Sequence, residues 1–333
     1  MIGTLLRAAP FAAFLLFVVL APGRIGDGTM HFFTEIFIVL TLATMWNLLA
    51  GYAGLMSLGH QAFFGIGGYV AFLFTNATGL HPFWGLPLSA LVAAFGAALI
   101  APLLFRLRDA YFAIGSWVLA EIVAIAVQKT DALGGITGIS LATIGQLDFL
   151  AFEGHIFMLA AAAALIAFLG SYLLLRSRLG LALMSVRDNE QAAAAIGVDV
   201  WRNRFIAFVI SAGGCGLAGG IFLLNGLAVQ PGNAFSGEWT VVMTFVVVVG
   251  GIGTLEGPLL GTLIYFALRQ VLTVVFPLTG TWYLVAMGLV AILTMLFAPE
   301  GLWPLLSRRL GISWLRVQRR FPSTSQPRVE RQQ

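Results

Sequence analysis

The stretch IFMLAAAAALIAFLGSYLLL (residues 156–175) is followed directly by RSRLGLALMSVRDNEQAAAAIGVDVWRNR (residues 176–204), and this change of composition decides the fold class. The first stretch has no charged residue and is long enough to cross the hydrocarbon core of a bilayer as a helix. The second contains five arginines and three acidic residues, so it must lie in water. Arginine clusters beside membrane spans remain on the cytoplasmic side, which predicts a cytoplasmic segment between two spans.

The composition of the whole chain extends this interpretation. Of 333 residues, 59% are hydrophobic and 10% are charged, and the mean hydropathy of +0.95 lies outside the range of soluble proteins. Long apolar blocks recur where a transmembrane β-barrel would show alternating segments. We expect an all-α, polytopic transmembrane helical bundle of about 8–10 spans with no separate soluble domain. The single cysteine, Cys215, excludes an internal disulfide framework and is interpreted as a packing residue.

Apolar blocks between polar breaks give ten candidate spans. The first also resembles a signal peptide, because Arg7 precedes its apolar run, but we interpret it as a span. The first and eighth are short for a full crossing, and the eighth fits a re-entrant or broken helix. The candidates are Ala9–Ala21, Phe32–Ala50, Leu58–Thr75, Leu86–Phe105, Tyr111–Gln128, Ile156–Leu175, Phe205–Asn225, Trp239–Val249, Leu259–Phe276 and Trp282–Ala298.

The distribution of basic residues predicts the orientation of the chain. With the N-terminus inside, the cytoplasmic segments hold fifteen of the 18 basic residues and the outer loops hold two, Arg24 and Lys129. Both termini are therefore expected in the cytoplasm. We expect a membrane domain over residues 1–306, which includes the cytoplasmic segment 176–204, and a basic, disordered tail over residues 307–333.

Two glycine-rich stretches interrupt the apolar pattern, one in each half of the chain: Asn47–Tyr69 and Gly250–Gly261. Small residues let helices approach closely, and glycine can break a helix where its backbone lines a cavity. Interrupted segments in both halves therefore suggest a central pathway at their interface. Tight helix packing alone is the alternative.

Few ionisable residues fall within the candidate spans, and we identify them as Glu121, Arg269 and His60, accompanied by the polar Gln61 and Asn47. Such groups are costly in hydrocarbon, so each must face a partner or a wet cavity. Glu121 and Arg269 are oppositely charged and could pair. The candidate residues for the pathway or for packing are Asn47, Ser57, His60, Gln61, Gly65, Glu121, Gly250, Gly251, Gly253 and Arg269.

The cytoplasmic segment contains the signals of a short helix. Asp188 is placed to cap it, and Gln191 is placed to reach back as in a capping box. Four alanines favour helix, and Gly197 fits the position just past its end. The predicted helix is about 12 Å long at 1.5 Å per residue. The alternative to a helix that binds a soluble partner is a helix that only connects two spans.

Several kinds of chemistry are excluded by what the sequence lacks. It has no phosphate-binding Gly-x-x-x-x-Gly-Lys-Ser/Thr motif, and its single lysine, Lys129, falls in a predicted outer loop. It has no His-Glu-x-x-His motif and no cysteine pair, so neither a metal site nor a catalytic zinc is expected. Ser57 and His60 are close in sequence but lack an orienting group and an oxyanion hole, so we expect no catalytic residue. The net charge of +4 follows the topology and does not indicate nucleic-acid binding.

Several stretches of the chain together match the pattern of a known family: Asn47–Tyr69, Arg106–Ile114, Ala120–Ile122, Arg176–Gly180 with Arg187–Glu190, Ala207–Ala212, Gly250–Pro258 and Pro299–Leu302. Through these stretches the chain resembles the LivM-type permease subunit of branched-chain amino acid ABC importers over roughly residues 30–305. Two departures, Asp109 where glycine is expected and Leu133 where threonine is expected, leave the substrate open among amino acids, urea, short amides and aromatic acids.

The resemblance implies an importer of branched-chain or related apolar amino acids in a bacterial cytoplasmic (inner) membrane. Its implied partners are a second, LivH-type permease subunit, two cytoplasmic ATPase subunits that bind ATP and Mg²⁺, and a periplasmic substrate-binding protein, which would meet the outer loop Lys129–His155. No cofactor is implied in this chain itself. By resemblance, Glu190–Gly197 looks like the coupling helix that docks on an ATPase. The implied coupling residues are Arg187, Asp188, Asn189, Glu190, Gln191, Ala192, Ala193 and Gly197.

A second hypothesis is a self-sufficient secondary carrier or channel for small polar solutes. Such a protein would be driven by an ion gradient and would need no ATP. Carriers coupled to protons use relays of acidic and histidine residues, and few such residues fall within the spans of this chain.

Overall fold

The computed structural model describes residues 18–21, 24, 26–142, 149–275 and 281–310. Within these residues the chain forms thirteen α-helices. In chain order they are α1 (Asp27–Asn47), α2 (His60–Thr78), α3 (Gly85–Leu104), α4 (Ala110–Lys129), α5 (Phe149–Arg176), α6 (Arg178–Asp188), α7 (Glu190–Ala195), α8 (Val200–Asn225), α9 (Pro231–Ala234), α10 (Glu238–Gly250), α11 (Gly257–Gln270), α12 (Thr281–Phe297) and α13 (Leu302–Leu310).

Shorter elements extend or join these helices. The segments Leu48–Tyr52 and Val271–Val275 are π-helical and continue α1 and α11. Single 3₁₀ turns lie at Pro82–Trp84 and Asp131–Leu133. Two short strands, β1 (Ile139–Ser140) and β2 (Ala228–Val229), pair antiparallel, with Ile139 opposite Val229.

The helices confirm the prediction of a polytopic transmembrane bundle. Among the described residues, seven helices are long and apolar enough to cross a membrane, or up to eight if one bent pair counts as a single span. The bent pair is Trp282–Phe297 with Leu302–Arg309, at 46°. The seven are Gly28–Tyr52, Pro82–Leu104, Ala110–Lys129, Ala151–Arg176, Val200–Asn225, Pro231–Gly250 and Gly257–Val274.

The eighth candidate span is longer than the sequence suggested. Trp239–Val249 belongs to Pro231–Gly250, which reaches 20 residues because α9 and α10 together meet the length of a span. The bend that we expected in the eighth candidate lies instead directly after the tenth, Trp282–Ala298, between α12 and α13. Most of the first candidate, Ala9–Ala21, lies outside the described residues. Helix α13 runs across the boundary expected at residue 306, and the tail from residue 311 onward also lies outside the described residues.

Helix α2 corresponds to the candidate Leu58–Thr75 but falls outside the set of seven. Glycines and polar side chains lower its apolarity, and most of its residues are buried by other helices. It packs chiefly on α8 and α3, and α3 packs on α8 in turn. A helix enclosed by protein does not need the apolar surface that lipid demands.

Glycines allow the helices around α2 to approach closely. A Cβ atom on Gly67 would overlap the carbonyl oxygen of Gly216 in α8, and one on Gly219 would overlap the carbonyl oxygen of Phe64 in α2. These contacts bring the two backbones together as in other small-residue helix interfaces. The buried core of the bundle is therefore built around the α2–α8 pair.

The basic segments lie at one end of the bundle. Phe105 and Leu107, which flank Arg106 after α3, line a pocket with Glu190 of α7. Helix α4 starts at this end and finishes with Lys129 at the other. There the side chain of Asn76, near the end of α2, bonds to the backbone of residues 140 and 142. We refer to the end with α7 as the basic end and to the other as the opposite end.

The glycine contacts give a stability prediction. Gly67→Ala and Gly219→Ala are expected to lower the free energy of unfolding by about 1–3 kcal/mol each, because the added methyl group meets backbone that cannot move away. Gly96→Ala and Gly170→Ala are the matched controls, since nothing lies within 4 Å of a Cβ there. The stability of all four variants is measured by thermal melting of the purified chain in detergent, with size-exclusion chromatography to detect the folded protein that remains. Equal shifts for the four variants would contradict the packing account.

Candidate functional site

The short helix α7 begins at Asn189. The Asn189 side chain accepts a hydrogen bond from the backbone N–H of Ala192 at 2.9 Å, which makes it the capping residue. The prediction that Asp188 caps the helix is wrong. The Asp188 carboxylate instead accepts bonds from Nε and Nη2 of Arg187, at 2.9 and 2.8 Å. The Arg187 side chain therefore fixes Asp188 and leaves the capping position to its neighbour.

Helix α7 ends as the sequence predicts. Gly197 has a φ of 88°, in the left-handed region that favours glycine. Its N–H donates to the carbonyl of Ala194, and the N–H of Val198 donates to the carbonyl of Ala193, each at 3.0 Å. This pattern closes the last turn of a helix. The helix has six residues, so it is about 9 Å long, shorter than expected.

Most of α7 faces solvent. Ala193 is buried and anchors the helix, and Glu190 forms an ion pair of 2.9 Å with Arg204 of α8. Gln191 and Ala192 are exposed. Ile196, at the end of the helix, is 78% exposed. The sequence analysis did not single out this exposed isoleucine.

Arg187 connects this surface to the membrane part of the chain. Its Nη1 donates to the carbonyl oxygen of Gly51 at 2.9 Å. Gly51 lies in the π-helical segment that ends α1, within the first glycine-rich stretch. The end of α6, directly before α7, is therefore bonded to the segment in which α1 ends.

The two glycine-rich stretches meet at the same place. The Asn47 side-chain amide donates to the carbonyl of Thr254 at 2.8 Å, and its oxygen accepts from the N–H of Gly253 at 2.9 Å. A Cβ on Gly51 would lie 2.5 Å from the nitrogen of Gly253. We call the set of Asn47, Gly51, Arg187, Gly253 and Thr254 the junction.

Gly250 and Gly251 support the junction from the side of α10. Gly250 lies against Gly257 at the start of α11, with no room for a Cβ. Gly251 has a φ of 127°, which only glycine adopts readily, and it packs against Gly301 just before α13. Helices α10, α11 and α13 therefore converge at the basic end of the bundle.

Ser57 and His60 do not form a catalytic pair. The Nε2 atom of His60 lies 2.8 Å from the hydroxyl of Ser211 in α8, and this hydroxyl donates to the carbonyl of Met45 at 2.7 Å. The Ser57 hydroxyl accepts instead from the N–H of Gly59 at 3.3 Å. His60 thus joins α2 to α8 and α1.

Gln61 and Gly65 also have packing contacts. Gln61 is buried, and its side-chain oxygen accepts a hydrogen bond from the hydroxyl of Thr240 in α10. A Cβ on Gly65 would overlap the ring of Phe235. Among the described residues, no three His, Cys, Asp or Glu side chains lie close enough together to hold a metal ion.

Glu121 and Arg269 are not partners. Glu121 accepts from the indole N–H of Trp117, one turn earlier on α4, at 3.2 Å. Arg269 pairs with Glu35 of α1, at 2.7 Å between Nη1 and Oε2. The sequence analysis missed Glu35 although it falls inside the candidate span Phe32–Ala50, where a lone carboxylate is a signal in itself.

The Glu35–Arg269 pair forms part of the wall of a cavity of about 350 Å³. This volume is in the lower part of the range of roughly 300–1,000 Å³ that small-molecule sites occupy. The lining is Glu35, Ile38, Val39, Phe222, Asn233, Glu238, Trp239, Val242, Tyr265, Phe266, Arg269, Thr273 and Tyr283.

Comparison with known proteins gives the same result for a protein family and for individual relatives. The family described as branched-chain amino acid transport system / permease component matches residues 28–295. The high-affinity branched-chain amino acid transport system permease protein LivM of Escherichia coli is 29% identical, over 90% of this chain and 76% of its own length. A probable branched-chain amino acid transport permease protein LivH of Methanocaldococcus jannaschii is 24% identical, over 76% of this chain and 82% of its own length. No solved structure matches.

The junction gives a prediction for Asn47. Asn47→Leu is expected to cost about 1–3 kcal/mol, since it leaves two partly buried backbone groups, the N–H of Gly253 and the carbonyl of Thr254, without a partner. Asn76→Leu is the matched control because Asn76 makes the same two kinds of bond in an exposed position. Thermal melting in detergent compares them. A shift for Asn47→Leu no larger than that of the control would contradict the role given to Asn47.

Proposed function

The chain belongs to the family of branched-chain amino acid transport system permease components, and from this premise we propose that it is the membrane-spanning subunit of an ATP-driven importer of branched-chain or related apolar amino acids. It is a multi-pass membrane protein and a transport subunit within a multi-component ABC system, not an enzyme. The observation that carries the proposal is the exposed, capped helix α7, which is joined through Arg187 to the junction of the two membrane-helix breaks.

The proposed partners follow from what the chain lacks and from its relatives. Two cytoplasmic ATPase subunits would bind ATP and Mg²⁺, since no phosphate-binding loop occurs in this sequence. A LivH-type permease would complete the membrane part, and the similarity to relatives named LivM and LivH supports two related subunits. A periplasmic binding protein would deliver the substrate to the opposite end. The complex would lie in the bacterial inner membrane.

Helix α7 would dock on an ATPase subunit. Residues of α7 other than Ala193 face solvent, and Ile196 offers an apolar contact at its end. The fit of an exposed apolar side chain into a groove is a common source of binding energy at protein interfaces. The basic end is then the cytoplasmic end, and residues 1–306 are the permease domain with 176–204 as its coupling segment.

Movement of α7 would reach the pathway through the junction. Because Arg187 holds the Gly51 carbonyl, displacement of α6 and α7 pulls on the segment that ends α1. Because Asn47 holds Gly253 and Thr254, the same displacement reaches the segment between α10 and α11. Both halves of the chain would respond together, as alternating access requires.

The alternative of a self-sufficient carrier or channel is not favoured. The family and the relatives are components of transport systems with several parts.

Purification from the native membrane in mild detergent tests the proposed composition. We expect the chain to be recovered with a second permease and with ATP-binding subunits in stoichiometric amounts. Mass spectrometry of the purified complex provides the measurement. Recovery of the chain alone, with uptake that persists in liposomes, would overturn the proposal.

The docking role of α7 gives a mutational prediction. Ile196→Glu is expected to weaken binding of the ATPase subunits by about 10- to 100-fold, because a charge then faces an apolar groove. Ile196→Val is the matched control, since it keeps an apolar side chain at the same exposed position. Co-purified ATPase subunits and ATP-driven leucine uptake are measured for both. Unchanged recovery and uptake for Ile196→Glu would contradict the docking role.

A second variant tests the shape of α7 and leaves its contact residues in place. Gly197→Pro cannot adopt a φ of 88° and loses the N–H that bonds to Ala194, so the end of the helix must change. We expect this variant to insert normally in the membrane. The amount of substrate taken up per ATP hydrolysed is expected to fall greatly or to zero. Normal uptake in this variant would show that the shape of α7 is not required.

A further inference from the structure

We propose that the cavity between α1, α10, α11 and α12 is a binding site for the zwitterion of an apolar amino acid on its way through the protein. This inference rests on the proposed transport function and adds a location and a chemistry to it. The cavity has about 350 Å³, more than one amino acid of this kind needs.

The cavity lies toward the opposite end, where a substrate from outside would arrive. Glu35 is in the first half of α1 and Ile38 is next to its middle, whereas the junction is at the end of this helix. Trp239 is in the first turn of α10, and Arg269 is in the last turn of α11. All these positions are removed from Arg187 and α7. The cavity and the junction are thus at opposite ends of the same helices, α1, α10 and α11.

The charges in the wall match those of a zwitterion. Arg269 bonds to Glu35 through Nη1, at 2.7 Å, and a guanidinium group has further N–H donors in a fork that fits a carboxylate. Glu35 and the nearby Glu238 provide carboxylate oxygens for an ammonium group. A zwitterion that enters between Arg269 and Glu35 replaces one ion pair by two. The charges of Arg269 and Glu35 therefore each keep a partner when the substrate binds or leaves.

Besides polar side chains such as Asn233 and Thr273, the lining has apolar residues that suit a hydrocarbon side chain. Phe222 and Trp239 meet edge to face at 4.6 Å between ring centroids, and Val242 lies beside them. Arg269 also lies over the ring of Phe266, at 5.8 Å from its centroid. An apolar pocket distinguishes side chains that differ by one methylene only weakly, so this site would accept several apolar amino acids.

A purely structural role for the ion pair is the competing account. The two side chains are partly exposed, 41% for Arg269 and 25% for Glu35, so the pair is open to the cavity and not sealed inside the packed core. An ion pair that only holds α1 to α11 would be restored by Glu35→Arg combined with Arg269→Glu. Binding of a zwitterion in a fixed orientation would not be restored, because the carboxylate and the ammonium would meet the wrong charges.

Protection of an introduced cysteine provides the test. The natural cysteine, Cys215, is fully buried, so Thr273→Cys, placed in the cavity wall, would be the reactive thiol among the described residues. Alkylation of the assembled transporter in nanodiscs is followed by mass spectrometry of this chain. The probes are L-leucine, isoamylamine, which lacks the carboxylate, and 4-methylpentanoate, which lacks the ammonium. Ile136→Cys, outside the cavity, is the control.

L-leucine at millimolar concentration is expected to slow alkylation of Thr273→Cys at least threefold, without effect on Ile136→Cys. The two analogues are expected to give no protection. Protection is expected to disappear when Arg269→Gln, Glu35→Gln or the exchanged pair is added, but to persist with Glu121→Gln. Leucine uptake by the complex with the natural Thr273 is measured in parallel. Uptake without protection, or protection equal for leucine and both analogues, would overturn the site while leaving the proposed function intact; absent uptake would count against the function itself.

Discussion

A helix that stops inside a membrane protein leaves backbone N–H and C=O groups that must find partners, because lipid provides none. Two such stops occur side by side in this chain, after α1 and after α10. The side chain of Asn47 bonds to both segments where they meet. Its oxygen accepts from the N–H of Gly253, and its amide donates to the carbonyl of Thr254. The close approach of Gly51 to Gly253 depends on these bonds and on the absence of a Cβ at both positions. The arrangement of the basic end follows from this constraint.

The junction provides a physical route for the proposed coupling between a soluble surface and a membrane pathway. Arg187 bonds to Gly51 and to Asp188 at the same time, so the segment before α7 is joined directly to the end of α1. Helices α1, α10 and α11 extend from this point to the cavity that contains Glu35 and Arg269. A displacement of a few ångströms at one end can therefore change the walls of the cavity at the other. Rigid helices between two sites are a physical basis for such coupling.

Local features of the chain were predictable from its sequence. The apolar blocks marked the spans because lipid imposes length and composition, and Gly197 marked the end of α7 because few residues accept its backbone conformation. The bend between α12 and α13 was not predicted, although Pro299 and Gly301, which has a φ of 87°, lie between the two helices. Asn189 and Asp188 are equally good capping residues, so only the position of Arg187 decided between them.

Long-range pairs were beyond sequence reasoning. Arg269 and Glu35 are 234 residues apart, and Arg187 and Gly51 are 136 apart. Charge alone suggested Glu121 for Arg269, but Glu121 is exposed on α4, where Trp117 provides a local partner. The pairing of Arg269 with Glu35 and of Arg187 with Gly51 depends on how the helices assemble. The burial of His60 and Gln61 also depends on this assembly, because α2 is enclosed by neighbouring helices and not by lipid.

The central claim is that transport through this chain is driven by ATP hydrolysed in partner subunits. Uptake of radiolabelled leucine into proteoliposomes tests it most directly, with the purified chain alone and with the complete complex, in the presence and absence of ATP on the side of α7. The account predicts uptake only for the complex, only with ATP and a loaded binding protein, and without dependence on a proton or sodium gradient. Uptake by the chain alone that follows such a gradient would contradict it.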